Sequence, residues 1–384
     1  CFGGTVKFQL SRDVFNEAVQ WTAKAVQQRP AIPILSALRV KASQDGALEI
    51  SSFDYEVSAL AQVQAEVFEP GETLISGRLV SEIAKSLPNE DVTVTLEGAH
   101  VDITCGRIKF ALGVMPLEDY PNLPVMPALS GKVSGTEFAA AISQVAIATS
   151  RDDTLPLLTG VRVEINGEDV TLLATDRYRL AMRKLKWEPT SPTFSAAILV
   201  KSKVLTDVAR NLGGGAEIDV HISDDSSQAR AAIIGFSAGQ RESTSSLMDG
   251  DYPPVHKLFP SETPLEYVCD RHELLEAVKR VSLVVERKTQ VRLAFEDGAA
   301  TLEAGQGDSA QAEEVVGLVR GSEPLQTAFN PSFLQDGLAA LDTDYVRFGF
   351  TDATKAAVLM GQKEADGPVD DLFKYLLMPI RFGA

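Results

Sequence analysis

One helical phrase is written three times in this chain, and that repetition constrains the fold more than any other feature. It reads Phe15-Asn16-Glu17-Ala18-Val19, then Phe138-Ala139-Ala140-Ala141-Ile142, then Leu274-Leu275-Glu276-Ala277-Val278. A strand-like segment follows each copy: Ala37-Leu38-Arg39-Val40, Gly160-Val161-Arg162-Val163 and Gln290-Val291-Arg292-Leu293. An alternating stretch with one aspartate comes next, at Asp54, Asp176 and Asp308. A second helical segment then runs through Ser81 to Leu87, Thr206 to Leu212 and Gln335 to Leu341. Phe138 lies 123 residues after Phe15, and Leu274 lies 136 after Phe138. Solenoid units are far shorter than this, so the period predicts three copies of a whole domain. The expected fold class is α+β, each copy holding two helices among short antiparallel strands.

Local signals agree. Ser11-Arg12-Asp13-Val14 reads as a helix start, with apolar positions at Phe15, Ala18, Val19, Thr22 and Val26 at helical spacing. The helix is expected to reach about Val26, ahead of Pro30 and Pro33, because proline cannot continue it. Gln44-Asp45-Gly46 and Asn166-Gly167 are hairpin turns by composition. Val92 to Leu96 and Val170 to Leu173 are apolar and rich in β-branched residues, as strands prefer. Two Pro-rich stretches repeat as well, Glu118-Asp119-Tyr120-Pro121 and Gly250-Asp251-Tyr252-Pro253. They place the domains at 1–127, 128–258 and 259–384.

Three domains fit 384 residues with 45% hydrophobic content, since each is long enough for its own core. No apolar run reaches the length of a membrane span. The stretch Cys1 to Lys7 has no basic segment leading into an apolar one, so no signal peptide is expected. Three scattered cysteines make a disulfide framework improbable and a reducing cytoplasm the simplest setting. The net charge of −17 argues against nucleic acid as a partner. Its distribution weakens that objection: the six repeated helix windows together carry +5, leaving −22 elsewhere. An excess of five over six helices is also small enough to arise by chance.

Catalytic motifs mostly fail. Gly235-Phe236-Ser237-Ala238-Gly239 spells a nucleophile elbow, which needs a strand before it and a helix after it. The polar, aperiodic Gln240 to Ser246 offers no helix, so a hairpin is the plainer reading, with a Ser237 hydrolase as the alternative. Asn211-Leu212-Gly213-Gly214-Gly215 lacks the ending of a phosphate loop and suits a helix C-cap. His100, His221, His256 and His272 lack metal-ligand spacing, so no metal or cofactor is expected. The repeated aspartates suit a shared turn better than one active site. Two constellations remain, Ala174 to Ala181 and Tyr375 to Arg381. Met and Leu beside Pro and Arg suit a peptide-binding patch, and they suit a final core strand equally.

Taken together, the chain from about Val6 to Arg381 resembles the bacterial DNA polymerase sliding clamp, the β subunit of the replicative polymerase. The resemblance rests on the threefold repeat and on Arg29-Pro30 ahead of Ile34-Leu35-Ser36. It rests also on Asp119-Tyr120-Pro121-Asn122-Leu123-Pro124, on Ala174-Thr175-Asp176 with Arg179-Leu180-Ala181, and on Met378-Pro379-Ile380-Arg381. It implies three clamp domains per chain and a head-to-tail homodimer closed into a ring around double-stranded DNA. It implies a processivity factor with no catalytic site and no cofactor. The implied partners are the replicative polymerase, other clamp-binding-motif proteins, and a clamp loader that opens the ring.

The same resemblance implies site residues. A peptide pocket would use Leu158, Thr175, Arg177, Tyr178, Arg179 and Leu180 on one side and Pro253 and Leu258 after the linker. Val358, Leu377, Met378, Pro379, Ile380 and Arg381 would complete it, with Arg179 and Arg381 meeting polar groups at the rim. Arg29, Arg78, Lys85, Arg151, Lys201 and Lys203 would face DNA, joined by Arg280 and Lys288. Phe110 of one chain would meet Leu283 of the other. This chain departs from many relatives in having Arg177-Tyr178 in place of Gly-His and in its tail Phe382-Gly383-Ala384.

Overall fold

The computed structural model describes residues 5–27, 30–215, 217–223, 232–285, 290–305, 310–321 and 323–380. Six α-helices occur among them, two per repeat: α1 (Arg12–Ala23), α2 (Gly77–Ser86), α3 (Gly135–Ala146), α4 (Ser202–Leu212), α5 (Arg271–Val281) and α6 (Pro331–Ala340). The capping chemistry explains several of the starts. Asp270 accepts the Glu273 N–H ahead of α5, and Asn330 accepts those of Ser332 and Phe333 ahead of α6, where Pro331 leads the first turn, satisfying donors that have no partner inside the helix. Before α1, Ser11 holds the extended backbone of a cap, but its hydroxyl makes no capping bond. The helix also ends at Ala23, short of the expected Val26. Lys24, Ala25 and Val26 each donate to the carbonyl three residues back, a tighter closing turn than the α-helix.

Contacts divide the chain into two compact units. Unit 1 comprises Cys1–Thr136, Glu188–Ser191 and Asp207–Leu247; unit 2 comprises Glu137–Trp187, Pro192–Thr206 and Met248–Ala384. Unit 1 holds a five-stranded sheet that ends in the edge strand Ile108–Gly113. Its second sheet has nine strands. Val57–Gln64 of the first repeat pairs there with Arg241–Ser246 of the second, antiparallel, from Arg241↔Ala61 to Ser245↔Val57. Unit 2 is organised on a twelve-stranded sheet in which Arg179–Lys186 of the second repeat pairs with Phe373–Leu377 of the third, from Arg179↔Leu377 to Arg183↔Phe373. Each large sheet therefore runs from one repeat into the next on backbone hydrogen bonds, and the compact units do not follow the repeats.

Cores form where alternation and helical spacing predict. The buried residues of α1 are Phe15, Ala18, Val19, Trp21 and Thr22. Trp21 also donates its indole N–H to the Leu60 carbonyl at 2.9 Å, so a large apolar ring is buried without stranding its polar atom. In the third repeat Tyr267 stacks on Phe295 at 4.3 Å between centroids, and Phe348 and Phe350 close the cluster. The two sequence-predicted turns are present, with Gly46 and Gly167 at φ of 87° and 57°, a region that glycine enters at little cost.

Candidate functional site

The repeated aspartates make turns. Asp176 Oδ1 accepts the N–H groups of Tyr178 and Arg179, both at 3.0 Å, while Arg177 takes a φ of 79°. Asp54 accepts those of Glu56 and Val57 at 3.0 and 2.7 Å, and Tyr55 takes a φ of 73°. The side-chain bonds hold a non-glycine residue in the left-handed region. Asp308 lies outside the described residues. The repeated linker tyrosines pin the same turns. Tyr252 accepts the Thr175 N–H at 3.1 Å, and Tyr120 accepts that of Phe53 at 2.9 Å. Burial pushes both phenols up to about 12.

Arg179 follows the second of these turns and points into unit 2. Its Nε donates to Asp176 at 2.9 Å, its Nη1 to Asp336 at 2.6 Å and to Tyr375 Oη at 3.3 Å, and the guanidinium lies 4.2 Å from the Phe333 ring. Burial opposes its charge, but Tyr375, Asp336 and Asp176 outweigh that and hold its pKa above the ordinary arginine value. The Tyr375 hydroxyl donates in turn to the Phe333 carbonyl at 2.9 Å. Its ring lies against Gly337 of α6, where a Cβ would sit 2.4 Å from a ring carbon. A glycine in mid-helix has its reason there. The expected rim cation is thus a buried tie between the turn, α6 and the last strand. Arg381, the other expected rim cation, lies outside the described residues.

Around this tie unit 2 places an apolar floor beneath an exposed rim. Leu180, Met182 and Leu173 pack with Val358, Met360, Leu376 and Val255, all buried, with Tyr252 and Phe259 against them. Leu377 and Leu158 are buried as well. Tyr178 and Leu258, each 57% exposed, and Met378, 45% exposed, stand at the surface together with Pro253 and Arg177. Pro379 and Ile380 are half-buried. The closing segment is fixed by backbone bonds, Met378 N–H to the Tyr178 carbonyl at 2.9 Å and Ile380 N–H to the Ala328 carbonyl at 2.8 Å. Large apolar side chains left in water beside a packed floor mark an interaction surface. The implied pocket lacked Leu173, Met182, Val255 and Met360, and Leu376 stood only within the Tyr375 to Arg381 constellation. The signal available for two of them was period-two alternation, Leu180 with Met182 and Val358 with Met360 in their strands, while Leu376 stands opposite Leu180 once pairing is known.

Among the described residues, the expected DNA-facing cations lie at the surface. Arg78 and Lys85 are exposed two turns apart on α2, with Glu82 exposed between them. Arg151 and Lys203 are exposed and Lys201 is half-buried. Arg280 is ion-paired with Glu314, while Arg29 and Lys288 lie outside the described residues. Lys24, at the end of α1, was not anticipated. Its ammonium donates to Asn211 Oδ1. Burial, opposed by Asp207 and aided by Arg210, Arg241 and Lys85, lowers its pKa. Four cations thus gather in unit 1, and only tertiary packing brings them together.

The nucleophile-elbow reading of Ser237 does not survive. Ser237 lies inside the strand Ile233–Ala238, and Gly239, at a φ of 59°, turns the chain directly into Arg241–Ser246. His221 Nε2 is 3.1 Å from the Ser237 hydroxyl, but its Nδ1 faces the Pro127 carbonyl at 3.0 Å. No carboxylate among the described residues orients the ring as a catalytic base requires. Phe110 is half-buried on the edge strand Ile108–Gly113, and Leu283, in the short helix Ser282–Val284, is 85% exposed.

Three family models match in succession. The DNA polymerase III beta subunit N-terminal domain matches residues 6–124, its central domain residues 132–254, and its C-terminal domain residues 256–381. The beta sliding clamp of Streptomyces coelicolor is 46% identical over 376 residues, covering 98% of this chain and 99% of that one. The beta sliding clamp homolog GriR of Streptomyces muensis is 41% identical over 377 residues, covering 98% and 100%. Among solved structures, the DNA polymerase sliding clamp of Bacillus subtilis aligns with a TM-score of 0.89 at 26% identity over 98% of this chain and 100% of that one. The Pseudomonas aeruginosa DnaN sliding clamp bound to griselimycin aligns with a TM-score of 0.87 at 27% identity over 99% and 100%.

Proposed function

Since the chain belongs to the DNA polymerase III beta subunit family, the sliding clamps, we propose that the apolar floor and exposed rim of unit 2 are its partner-binding pocket. The protein is a DNA-replication processivity factor, a non-catalytic subunit that holds the replicative polymerase and other clamp-binding proteins on DNA. What supports the pocket is the contrast between buried Leu180, Val358 and Leu376 and the exposed Tyr178, Leu258 and Met378 above them. A short extended peptide with apolar anchors would cover that rim, and such anchors usually carry most of the binding energy. Arg179 serves it from beneath, fixing the turn that presents Tyr178.

The DNA-facing cations in this reading are Arg29, Arg78, Lys85, Arg151, Lys201 and Lys203, to which Lys24 is added. Scattered cations attract phosphates without reading bases, which suits a protein that slides. Two copies close head to tail into a ring, with Phe110 facing the partner's Leu283. The unpaired outer edge of Ile108–Gly113 supports this, because an exposed strand edge with apolar side chains is a template for another strand. The three repeats, at 1–127, 128–258 and 259–384, supply the clamp domains, a loader opens the ring, and the cytoplasm is the compartment. No helix among the described residues is long and apolar enough to cross a membrane.

The test is retention. After loading on nicked circular plasmid, the protein is expected to stay through a salt wash and to leave within minutes once the plasmid is cut. Equal retention on linear and circular DNA would overturn the encircling ring.

A further inference from the structure

The peptide pocket of unit 2 has a counterpart in unit 1 with its polarity reversed. The turn aspartates set the correspondence. Counting back from Asp54 and Asp176 pairs Ser51 with Leu173, and counting forward pairs Ser58 with Leu180 and Leu60 with Met182. The linker tyrosines do the same for the wall, pairing Leu123 with Val255 and Met126 with Leu258. Strand register completes it. Thr244 stands opposite Ser58 as Leu376 stands opposite Leu180, and Gly235 stands opposite Thr244 as Val358 stands opposite Leu376. The three floor leucines of one site are thus three hydroxyl residues in the other.

These residues line a cleft of about 240 Å³ whose walls include Leu60, Leu123 and Met126. The Ser58 and Thr244 hydroxyls bond each other at 2.5 Å. Ser51 is only 5% exposed and lines the floor of the cleft. A hydroxyl that lines a cleft floor bonds to whatever fills the space. The charges at the mouth are mostly matched. Arg39 is bonded to Glu72 at 2.6 Å, and Lys41 lies 3.7 Å from Glu49. The Glu242 carboxylate also lines the cleft and has no ion-pair partner among the described residues. Met126 closes one side over bare backbone, where a Cβ on Gly235 would meet its sulfur at 2.1 Å. His221 fixes the end of that wall through the Pro127 carbonyl. Apolar walls and a floor of hydroxyls, which both donate and accept, favour a neutral polar tip over a cation. The chemistry that fits is a side chain with methylenes along its stem and an amide at its tip, able both to donate and to accept.

We propose that this cleft is a second peptide-binding slot that takes an extended segment through a glutamine or asparagine side chain, rather than through leucine or phenylalanine. The proposal rests on the peptide reading of unit 2, because it assumes that the repeated frame presents an extended chain in both places. The chain has six methionines; Met126 sits on the slot and Met378 on the rim of the pocket, whose floor holds Met182 and Met360. Methyl-labelled methionine in the full-length protein therefore reads the two sites separately by NMR. Acetyl-Ala-Gln-Asn-Gln-Ala-amide at millimolar concentration is expected to shift the Met126 methyl saturably and leave Met378 unmoved. Acetyl-Leu-Ser-Leu-Phe-amide is expected to do the reverse, so failure of the unit 2 pocket shows at Met378 without obscuring Met126. Ser51→Leu, which fills the slot, is expected to abolish the Met126 response. Ser51→Ala, which removes only the hydroxyl and decides the matter if the leucine variant misfolds, is expected to weaken it about fivefold. An unmoved Met126 signal, or a response of undiminished affinity in Ser51→Ala, overturns the proposal.

Discussion

At the scale of single residues, the two linker tyrosines carry a consequence for alkaline stability. Tyr252 is held near 12 by burial, against an ordinary value of 10.0, so the folded state keeps the phenolic proton more tightly than the unfolded chain does. The stability this contributes is intact below pH 10 and is lost as pH rises through about 12. Tyr252→Phe is expected to flatten that loss, with melting temperatures that converge on the parent's at high pH and lie below them at pH 8. The phenol's bond to the Thr175 N–H is gone at every pH, at a cost of about 1 kcal/mol. Parallel melts between pH 8 and 12 check it, and identical slopes would contradict the assignment. The repeated Asp-Tyr-Pro was legible as a linker signal. That its tyrosine pins the aspartate turn was not, because Tyr252 and Thr175 are 77 positions apart. Arg179 teaches the same lesson. Its place beside the pocket was readable from the motif, but the partners that bury it, Asp336 and Tyr375, lie 157 and 196 residues away.

Elements differ in how much of them is written locally. The starts of α5 and α6 could be read from Asp270 and Asn330-Pro331, because a cap acts within one turn. The end of α1 could not, since a closing turn of i−3 bonds leaves no composition signal. The closing segment after Phe373–Leu377 was equally open to two readings, and its backbone bonds now permit a sharper expectation. Removing Met378 through Ala384 deletes the exposed Met378 and two backbone bonds, to Tyr178 and Ala328, while the strand Phe373–Leu377 keeps both neighbours. The truncated protein is expected to fold and to remain a dimer. It is expected to lose at least tenfold in affinity for acetyl-Leu-Ser-Leu-Phe-amide, because a truncated anchor costs about 2 kcal/mol or more. Fluorescence anisotropy beside sedimentation measures both, and undiminished affinity would move the partner site elsewhere.

For the whole molecule, threefold repetition was the plainest statement in the sequence, whereas the division into units was invisible there. Periodicity reports which segments are copies and says nothing of which copies pair. Assembly follows from surfaces that a lone chain leaves bare. Leu283 is 85% exposed, and a charge placed there costs the monomer nothing but would be buried unpaired in a joint, at about 3 kcal/mol or more. Leu283→Asp is expected to sediment as monomer at micromolar concentration with an unchanged melting temperature at high dilution, and a dimer of parental mass would reject the Phe110–Leu283 joint. The joins between repeats depend on something else. Five residue pairs, from Arg241↔Ala61 to Ser245↔Val57, tie the first repeat to the second, and five, from Arg179↔Leu377 to Arg183↔Phe373, tie the second to the third. Such seams are made of main chain, which every residue but proline supplies alike. Side chains on either face can therefore be exchanged over generations without loosening the weld, and lineages can rewrite what the molecule recognises while inheriting its frame unaltered.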